Sequence, residues 1–358
     1  MSRVYVLGAG FSNQVAGLPT VRDLRESFQV VLSRSRKSGH ENRVFWGESL
    51  LGFLHSFEYI GLATNQGDCV VNSNVAELFE ELLTFLDLNT RTELKGQVRR
   101  NGSTFDMSHV GPFFGYDAQF LRKAFETYMY LALEKPRCLD STLLEGFSSQ
   151  ILADDTMISF NYDLVLERDL YFRGLWYPRD GYGYEAVDAE AVSEAYRKEK
   201  SSIPILKLHG SLNWQPDDVL GHERGIRWFF DDNGPIFPGY LSHEKPVLDE
   251  PYQGGHHIRW LLPSFVKALD DQRLLAAWRQ AALNLREKPN EVVVIGYSLP
   301  VADPAAWALF ASSCHPDSKL IVVDKNAEEV VQRFVKATGC QKYATYLNLE
   351  SYLLEKGG

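Results

Sequence analysis

Five short apolar runs recur along this chain, and each ends in small or polar residues. Val4-Tyr5-Val6-Leu7 precedes Gly8-Ala9-Gly10, and Thr156-Met157-Ile158-Ser159-Phe160 precedes Asn161-Tyr162-Asp163. Ile203-Pro204-Ile205-Leu206-Lys207-Leu208 precedes His209-Gly210. Glu291-Val292-Val293-Val294-Ile295 precedes Gly296-Tyr297-Ser298, and Lys319-Leu320-Ile321-Val322-Val323 precedes Asp324-Lys325-Asn326. A strand covered on both faces reads as a continuous apolar run, whereas a half-exposed strand alternates. The runs therefore predict a parallel sheet between layers of helices. In an open parallel sheet the ligand crevice lies beyond the carboxyl ends of the strands. Five polar segments then converge on one edge, which is where function is to be sought.

The stretch between the first two runs reads as helical. Asn74 and Glu77 have capping-box spacing, and Val75, Leu78, Phe79, Leu82, Leu83 and Leu86 follow a helical period. A second helix carries Phe120, Leu121, Ala124, Phe125, Tyr128 and Leu131 and is closed by Pro136; a third covers roughly 141–151. Residues 23–152 are accordingly expected to form a helical insertion subdomain, packed beside the crevice. Residues 215–258 are dense in Gly and Pro and read as loops with short strands such as Ile226 to Phe230. Helices are expected over 264–286, 305–312 and 328–337. The expected fold is α/β: a Rossmann-like parallel sheet with helices on both faces, plus a large helical insertion.

The 358 residues suit about two domains at roughly 150 residues each. Hydrophobic residues at 45% and charged residues at 23% are ordinary for a globular protein, which excludes disordered and fibrous classes. The net charge of −10 argues against broad electrostatic binding to nucleic acid, although Arg34, Arg36 and Lys37 form a local basic group. Cys69, Cys138, Cys314 and Cys340 show no Cys-x-x-Cys and no zinc-ribbon spacing, so no zinc is expected, and sparse cysteine suits a reducing cytoplasm. Nothing approaches the roughly 18 apolar residues of a membrane helix. His256-His257 with Asp249 and Glu250 lack a third ligand at a recognisable spacing and read as surface loop. Ser211 and Ser298 are not set in a Gly-x-Ser-x-Gly elbow, so a serine hydrolase is not indicated.

The polar segments carry the chemistry. Gly8-Ala9-Gly10-Phe11-Ser12 follows a strand, where glycines let backbone N–H groups approach a pyrophosphate at a helix start. Asn13 stands where a dinucleotide fingerprint has its third Gly, and no acidic residue follows at the ribose-binding position, so a nicotinamide dehydrogenase is not indicated. Asn161 and Asp163 close a buried strand; a helix N-cap is the plain structural alternative for Asp163. His209, followed by Gly210 at a strand mouth, is a candidate general base because a titratable imidazole reaches the crevice there.

Taken in order, these segments resemble the sirtuins: Gly8-Ala9-Gly10-x-Ser12, Gly17-Leu18-Pro19-x-x-Arg22, Asn161-x-Asp163, His209-Gly210, Gly296-Tyr297-Ser298-Leu299 and Asp324-Lys325-Asn326. The resemblance covers 1–22 and 153–358, an NAD-binding core, and leaves the helical block unmatched. It implies that Gly8, Ala9, Gly10, Phe11 and Ser12 hold NAD phosphates and that Pro19 and Arg22 lie over the nicotinamide end. It further implies that Asn161 and Asp163 sit by nicotinamide and its ribose, and that His209 is the base. Gly296, Tyr297, Ser298, Asp324 and Asn326 would meet the adenosine side.

Two departures redirect that expectation. The four-cysteine zinc module of protein-deacylating sirtuins is absent, with the 215–258 insertion in its place, and Thr20-Val21 stand where an aromatic usually precedes the Arg. Leu261-Leu262-Pro263-Ser264-Phe265-Val266-Lys267 and Gly-Tyr-Ser-Leu-Pro look like the bacterial zinc-less branch, known as NAD hydrolases of anti-phage defence that often act beside a nucleic-acid sensor or an ATPase. The expected activity is cleavage of NAD, as substrate and without a metal, to nicotinamide and ADP-ribose. Expected partners are a second copy of the chain or a defence protein, with no membrane and no direct nucleic-acid contact. A protein deacylase and a non-enzymatic NAD or ADP-ribose sensor are the alternatives.

Overall fold

The computed structural model describes residues 2–63, 97–100, 103–106, 118–133, 141–177, 180–183, 200–216, 226–228, 230–231, 234–235, 272–287, 289–301 and 303–357. Strands β1 (Arg3–Leu7), β2 (Thr156–Ser159), β3 (Ile205–Lys207), β4 (Glu291–Ile295), β5 (Lys319–Val323) and β6 (Tyr343–Tyr346) form one all-parallel sheet. Their spatial order is β3-β2-β1-β4-β5-β6. This is the doubly wound, Rossmann-like α/β order, and it reverses between β1 and β4, where such sheets open a crevice.

Alternate residues of the strands feed two separate cores. Tyr5 and Leu7 of β1, with Val293 and Ile295 of β4, join one apolar cluster; Val4 and Val6, with Val292 and Val294, join the other. The period of two sends neighbouring side chains to opposite faces, and both faces are covered. Helices α1 (Ala9–Ala16), α2 (Leu24–Lys37), α3 (Glu41–Ala63), α4 (Ala118–Leu133), α5 (Ser141–Ser148) and α6 (Val165–Phe172) supply the first face. Helices α7 (Gln272–Arg286), α8 (Pro304–Ser313) and α9 (Ala327–Thr338) supply the second. Helix α10 (Leu349–Gly357) closes the chain and buries Leu349 and Tyr352 in the first cluster.

The described part of the 23–152 block shares that first cluster. Phe28 of α2 meets Phe125 and Tyr128 of α4 edge-on at 5.6 and 5.7 Å. Phe147 of α5 reaches the sheet itself, 5.4 Å from Tyr5 and 5.0 Å from Phe11. The block is not purely helical: Gln97–Arg100 and Ser103–Asp106 pair as an antiparallel hairpin. The helix expected from Asn74 to Leu86 lies outside the described residues. In the 215–258 segment, Ile226–Trp228 pairs with Trp214–Pro216, and most of the rest lies outside the described residues.

At the amino ends of β1 and β2, Arg3 binds Asp155 through its backbone N–H (3.0 Å), its Nε (3.2 Å) and its Nη2 (2.8 Å). Asp155 is 3% exposed and also accepts from the Leu152 N–H at 2.9 Å. This buried pair fastens the sheet at the edge opposite the crevice.

Candidate active site

The turn after β1 and the turn after β4 meet at the reversal point. The Gly8 N–H donates to Ile295 O and the Gly10 N–H to Gly296 O, both at 3.0 Å. A Cβ on Gly296 would lie 2.3 Å from Phe11 N, and its φ of 61° belongs to the left-handed region. Helix α1 starts directly from this turn and ends on Gly17, whose N–H returns to Asn13 O at 2.9 Å. Phe11 packs into the core, and Ser12 is buried. Because the Gly8 and Gly10 N–H groups already serve the neighbouring turn, a phosphate here would draw on other amides of the first turn of α1.

Asn161 ties β2 to that turn. Its Nδ2 donates to Gly8 O and to Ser12 Oγ, each at 3.0 Å, and its backbone N–H donates to Ser159 Oγ at 3.2 Å. Its Oδ1 is buried with no hydrogen-bond partner, an acceptor held beside the glycine turn. Asp163 Oδ1 accepts from the Val165 N–H at 3.1 Å at the start of α6. The N-cap position of α6 is Leu164, and no side chain caps it, so Asp163 is not the helix cap that its sequence position suggested: its bond closes a turn one residue before the cap.

His209 follows β3 on a turn that needs Gly210 at φ 85°. Its neighbour Leu208 is held from both sides, by its N–H to Ser159 O (2.9 Å) and by its carbonyl from Trp278 Nε1 (2.8 Å). His209 is 7% exposed, and its imidazole sits edge-on to Phe160, ring centroids 5.0 Å apart, with Tyr162 6.0 Å away. Phe160 stacks on Tyr297 at 3.9 Å. His209 Nε2 lies 2.9 Å from Asp303 Oδ2, which also accepts from Tyr297 OH at 3.2 Å. Asp303 is 2% exposed and caps α8, its Oδ1 accepting from the Ala306 N–H at 3.1 Å. Burial, and then the Asp303 carboxylate, raise the Tyr162 phenol above its ordinary value.

Asp303 is the residue that sequence reasoning missed. Asp303-Pro304 is a legible helix start, a capping residue followed by Pro at the first helical position. Nothing in that signal points to a histidine 94 residues away. The loop between β4 and α8 that delivers it holds Leu299 at a φ of 49°, an uncommon conformation for a residue with a side chain.

Beneath the site, Lys207 and Glu167 form a buried pair at 2.8 Å. Lys207 Nζ also donates to Asp163 O at 2.6 Å and so fastens the Asn161-Tyr162-Asp163 segment to β3. Burial pushes the Glu167 carboxyl above its ordinary value, outweighing the lowering effect of Lys207.

The remaining sequence candidates spread along the same edge. Tyr297 is buried and Ser298 exposed, its carbonyl accepting from Arg333 Nη1 at 3.1 Å. Pro19 is buried; Arg22 is exposed on the single turn Val21–Asp23, set by a capping box in which Thr20 and Asp23 bond reciprocally. Asp324 Oδ1 accepts from the Asn326 N–H at 2.8 Å. Asn326 borders an open hollow of about 350 Å³ beyond β5 and β6, lined also by Lys325, Thr345 and Tyr346. The structure thus joins the glycine turn to Asn161 and to the β4 turn directly, and links His209, after the edge strand β3, to Tyr297 through Phe160 and Asp303, while Asp324 and Asn326 follow β5 on the other side of β4.

Among the described residues, no group of three or more His, Cys, Asp or Glu side chains is disposed to hold a metal ion. Among them also, no helix is long and apolar enough to cross a membrane. Asp249, Glu250, His256, His257 and residues 261–267 lie outside the described residues. Cys314 and Cys340 are buried free thiols. The chain matches no protein-family model, and comparison with curated proteins gives no match.

Proposed function

We propose that this protein is a sirtuin-like NAD glycohydrolase that cleaves the nicotinamide–ribose bond to give nicotinamide and ADP-ribose. The observation that supports the reading is that the β1 glycine turn, Asn161 bonded to it, and His209, linked to the β4 turn through Phe160, Tyr297 and Asp303, all follow the carboxyl ends of strands of one parallel sheet. Each element suits one part of the chemistry. The first turn of α1, apart from the Gly8 and Gly10 N–H groups that serve the β4 turn, would supply amide donors to the pyrophosphate. Asn161 Oδ1, an acceptor without a partner, would accept from a ribose hydroxyl or from the attacking water. His209 takes the proton released as the new C1′–O bond forms, since an imidazole titrates near operating pH. The C1′–N bond breaks as nicotinamide leaves neutral from a cationic ring. The rings of Phe160 and Tyr162 pack 5.0 and 6.0 Å from the imidazole. Asp163 and Arg22 belong to the nicotinamide end, and Asp324 and Asn326 to the adenosine side.

The physiological setting that fits the resemblance is cytoplasmic anti-phage defence, with activity released by self-assembly or by a partner that senses nucleic acid or hydrolyses ATP. The direct test is incubation of the purified full-length chain with NAD alone, at several protein concentrations, with products resolved by chromatography. Nicotinamide and ADP-ribose appearing without any acyl peptide support the hydrolase. Nicotinamide released only with an acyl-lysine peptide identifies a deacylase. NAD that binds but stays intact identifies a sensor.

A further inference from the structure

We infer that Asp303 is the positioning residue of this site, fixing His209 in the tautomer whose Nδ1 accepts the proton; the inference rests on the hydrolase reading for its catalytic consequence. An ionised carboxylate only accepts hydrogen bonds. Its Oδ2 stands 2.9 Å from His209 Nε2, so Nε2 carries the hydrogen, and in the neutral ring the basic nitrogen is then Nδ1. Which nitrogen is basic is therefore decided by a residue that itself touches no reacting atom.

The carboxylate is held as well as the imidazole. Its Oδ1 is anchored by the Ala306 N–H at 3.1 Å, at the first turn of a ten-residue helix. Its Oδ2 is shared with Tyr297 OH at 3.2 Å, and Tyr297 is itself stacked on Phe160, which contacts the imidazole edge. The two oxygens thus do different work. One fastens the residue to α8, and the other presents an acceptor to the imidazole at 2% residue exposure, where water does not compete for it. A helix cap needs only the first of these. In the proton transfer, Nδ1 gains the proton and the ring becomes imidazolium. The Nε2–H stays on Asp303, and the opposite charge 2.9 Å away favours that charged ring.

The test separates capping from tautomer control. Asp303→Asn keeps a side-chain oxygen for the Ala306 N–H, and Asn caps helices as well as Asp does. It also offers an N–H₂ toward Nε2, which favours the other tautomer. Nitrogen-15 NMR of ring-labelled histidine, in the parent protein, is expected to show neutral His209 protonated at Nε2. The variant is expected to melt close to the parent, to show Nδ1 protonated, and to release nicotinamide on the order of 10² to 10⁴ more slowly, in kcat rather than KM. Parent His209 protonated at Nδ1, or a folded variant that cleaves NAD within a few-fold of the parent, overturns the inference. The parent spectrum needs no variant to fold. A parent that shows the Nε2–H tautomer but never cleaves NAD leaves tautomer control standing and removes the hydrolase reading instead.

Discussion

Gly10 and Gly296 pack backbone against backbone across the point where the sheet reverses its strand order. The Gly10 N–H donates to Gly296 O at 3.0 Å, and a Cβ on Gly10 would lie 2.7 Å from Gly296 Cα. Each glycine is there because the other is. Their contact brings the β1 and β4 turns together and leaves Tyr297 stacked over Phe160, next to His209.

Gly296→Ala tests that contact. Its new Cβ would meet Phe11 N at 2.3 Å and Gly10 C at 2.4 Å, at a φ of 61°. Overpacking costs about 1–3 kcal/mol and the left-handed backbone about 1–2 kcal/mol more. Gly39→Ala is the matched control: its φ is 73°, with nothing within 4 Å of the added atom. Thermal melting should show a larger loss for Gly296→Ala than for Gly39→Ala, with NAD binding lost only in the former. Equal losses would show that the close approach between the turns is not constraining.

His209→Ala and Asn161→Ala should each slow nicotinamide release on the order of 10² to 10⁴, one by removing the base and the other by loosening ribose or water. Their stabilities should differ. Asn161→Ala removes two hydrogen bonds, one to Gly8 O, which keeps the Phe11 N–H at 2.9 Å, and one to Ser12 Oγ, and is expected to cost about 1–3 kcal/mol. His209→Ala empties the space of a buried ring and takes one donor from the buried Asp303 carboxylate, which keeps Tyr297 OH and the Ala306 N–H, so it should melt lower still. Rates are to be normalised to folded protein. Parent-like cleavage by both variants would remove these residues from the mechanism.

Five of the six strands were legible because they are buried on both faces, and burial writes a continuous apolar run. β6 was not, because Tyr343 is 48% exposed on a sheet edge and Tyr343-Ala344-Thr345-Tyr346 makes no such run. The hairpin at 97–106 was hidden for a related reason: Gln97-Val98-Arg99-Arg100 is too polar to signal a strand inside a helical block. For the site, Asn161 and Gly8 were expected together because each follows a strand of one sheet, and the 3.0 Å bond between them realises that topology. The His209–Asp303 contact was not legible. Asp303 reaches it through a loop bent at Leu299, and a local capping signal carries no information about a distant partner.

Asp155→Ala should destabilise without touching catalysis. It removes the acceptor of the Arg3 N–H, Nε and Nη2 and leaves a largely buried guanidinium short of its partner. Breaking a buried pair from one side costs about 3–5 kcal/mol. The pair lies at the amino ends of β1 and β2, away from the crevice, so nicotinamide release per folded molecule should match the parent in assays well below the melting transition. A specific-activity loss comparable to that of His209→Ala would contradict the placement of the site at the carboxyl edge.

Glu167 should write a pH dependence into stability whose sign is opposite to that of an ordinary paired carboxylate. Burial raises its folded-state pKa above the ordinary 4.5, and Lys207, 2.8 Å away, opposes the rise without cancelling it. Below the ordinary value both folded and unfolded chains hold the proton, so the contribution of this group is complete. As pH rises past it, the unfolded chain releases its proton first, and the contribution declines until the folded carboxyl also ionises. Denaturant unfolding from about pH 4 to about pH 7 should therefore show the parent losing stability relative to Glu167→Gln, which keeps an acceptor for Lys207 but does not titrate. Lys207→Met removes the opposing influence. It should move the decline to higher pH, and it also frees Asp163 O from the Nζ that holds it at 2.6 Å. A parent that gains stability over Glu167→Gln as pH rises would mean that Lys207 dominates and that the pair is fully ionised in the folded protein.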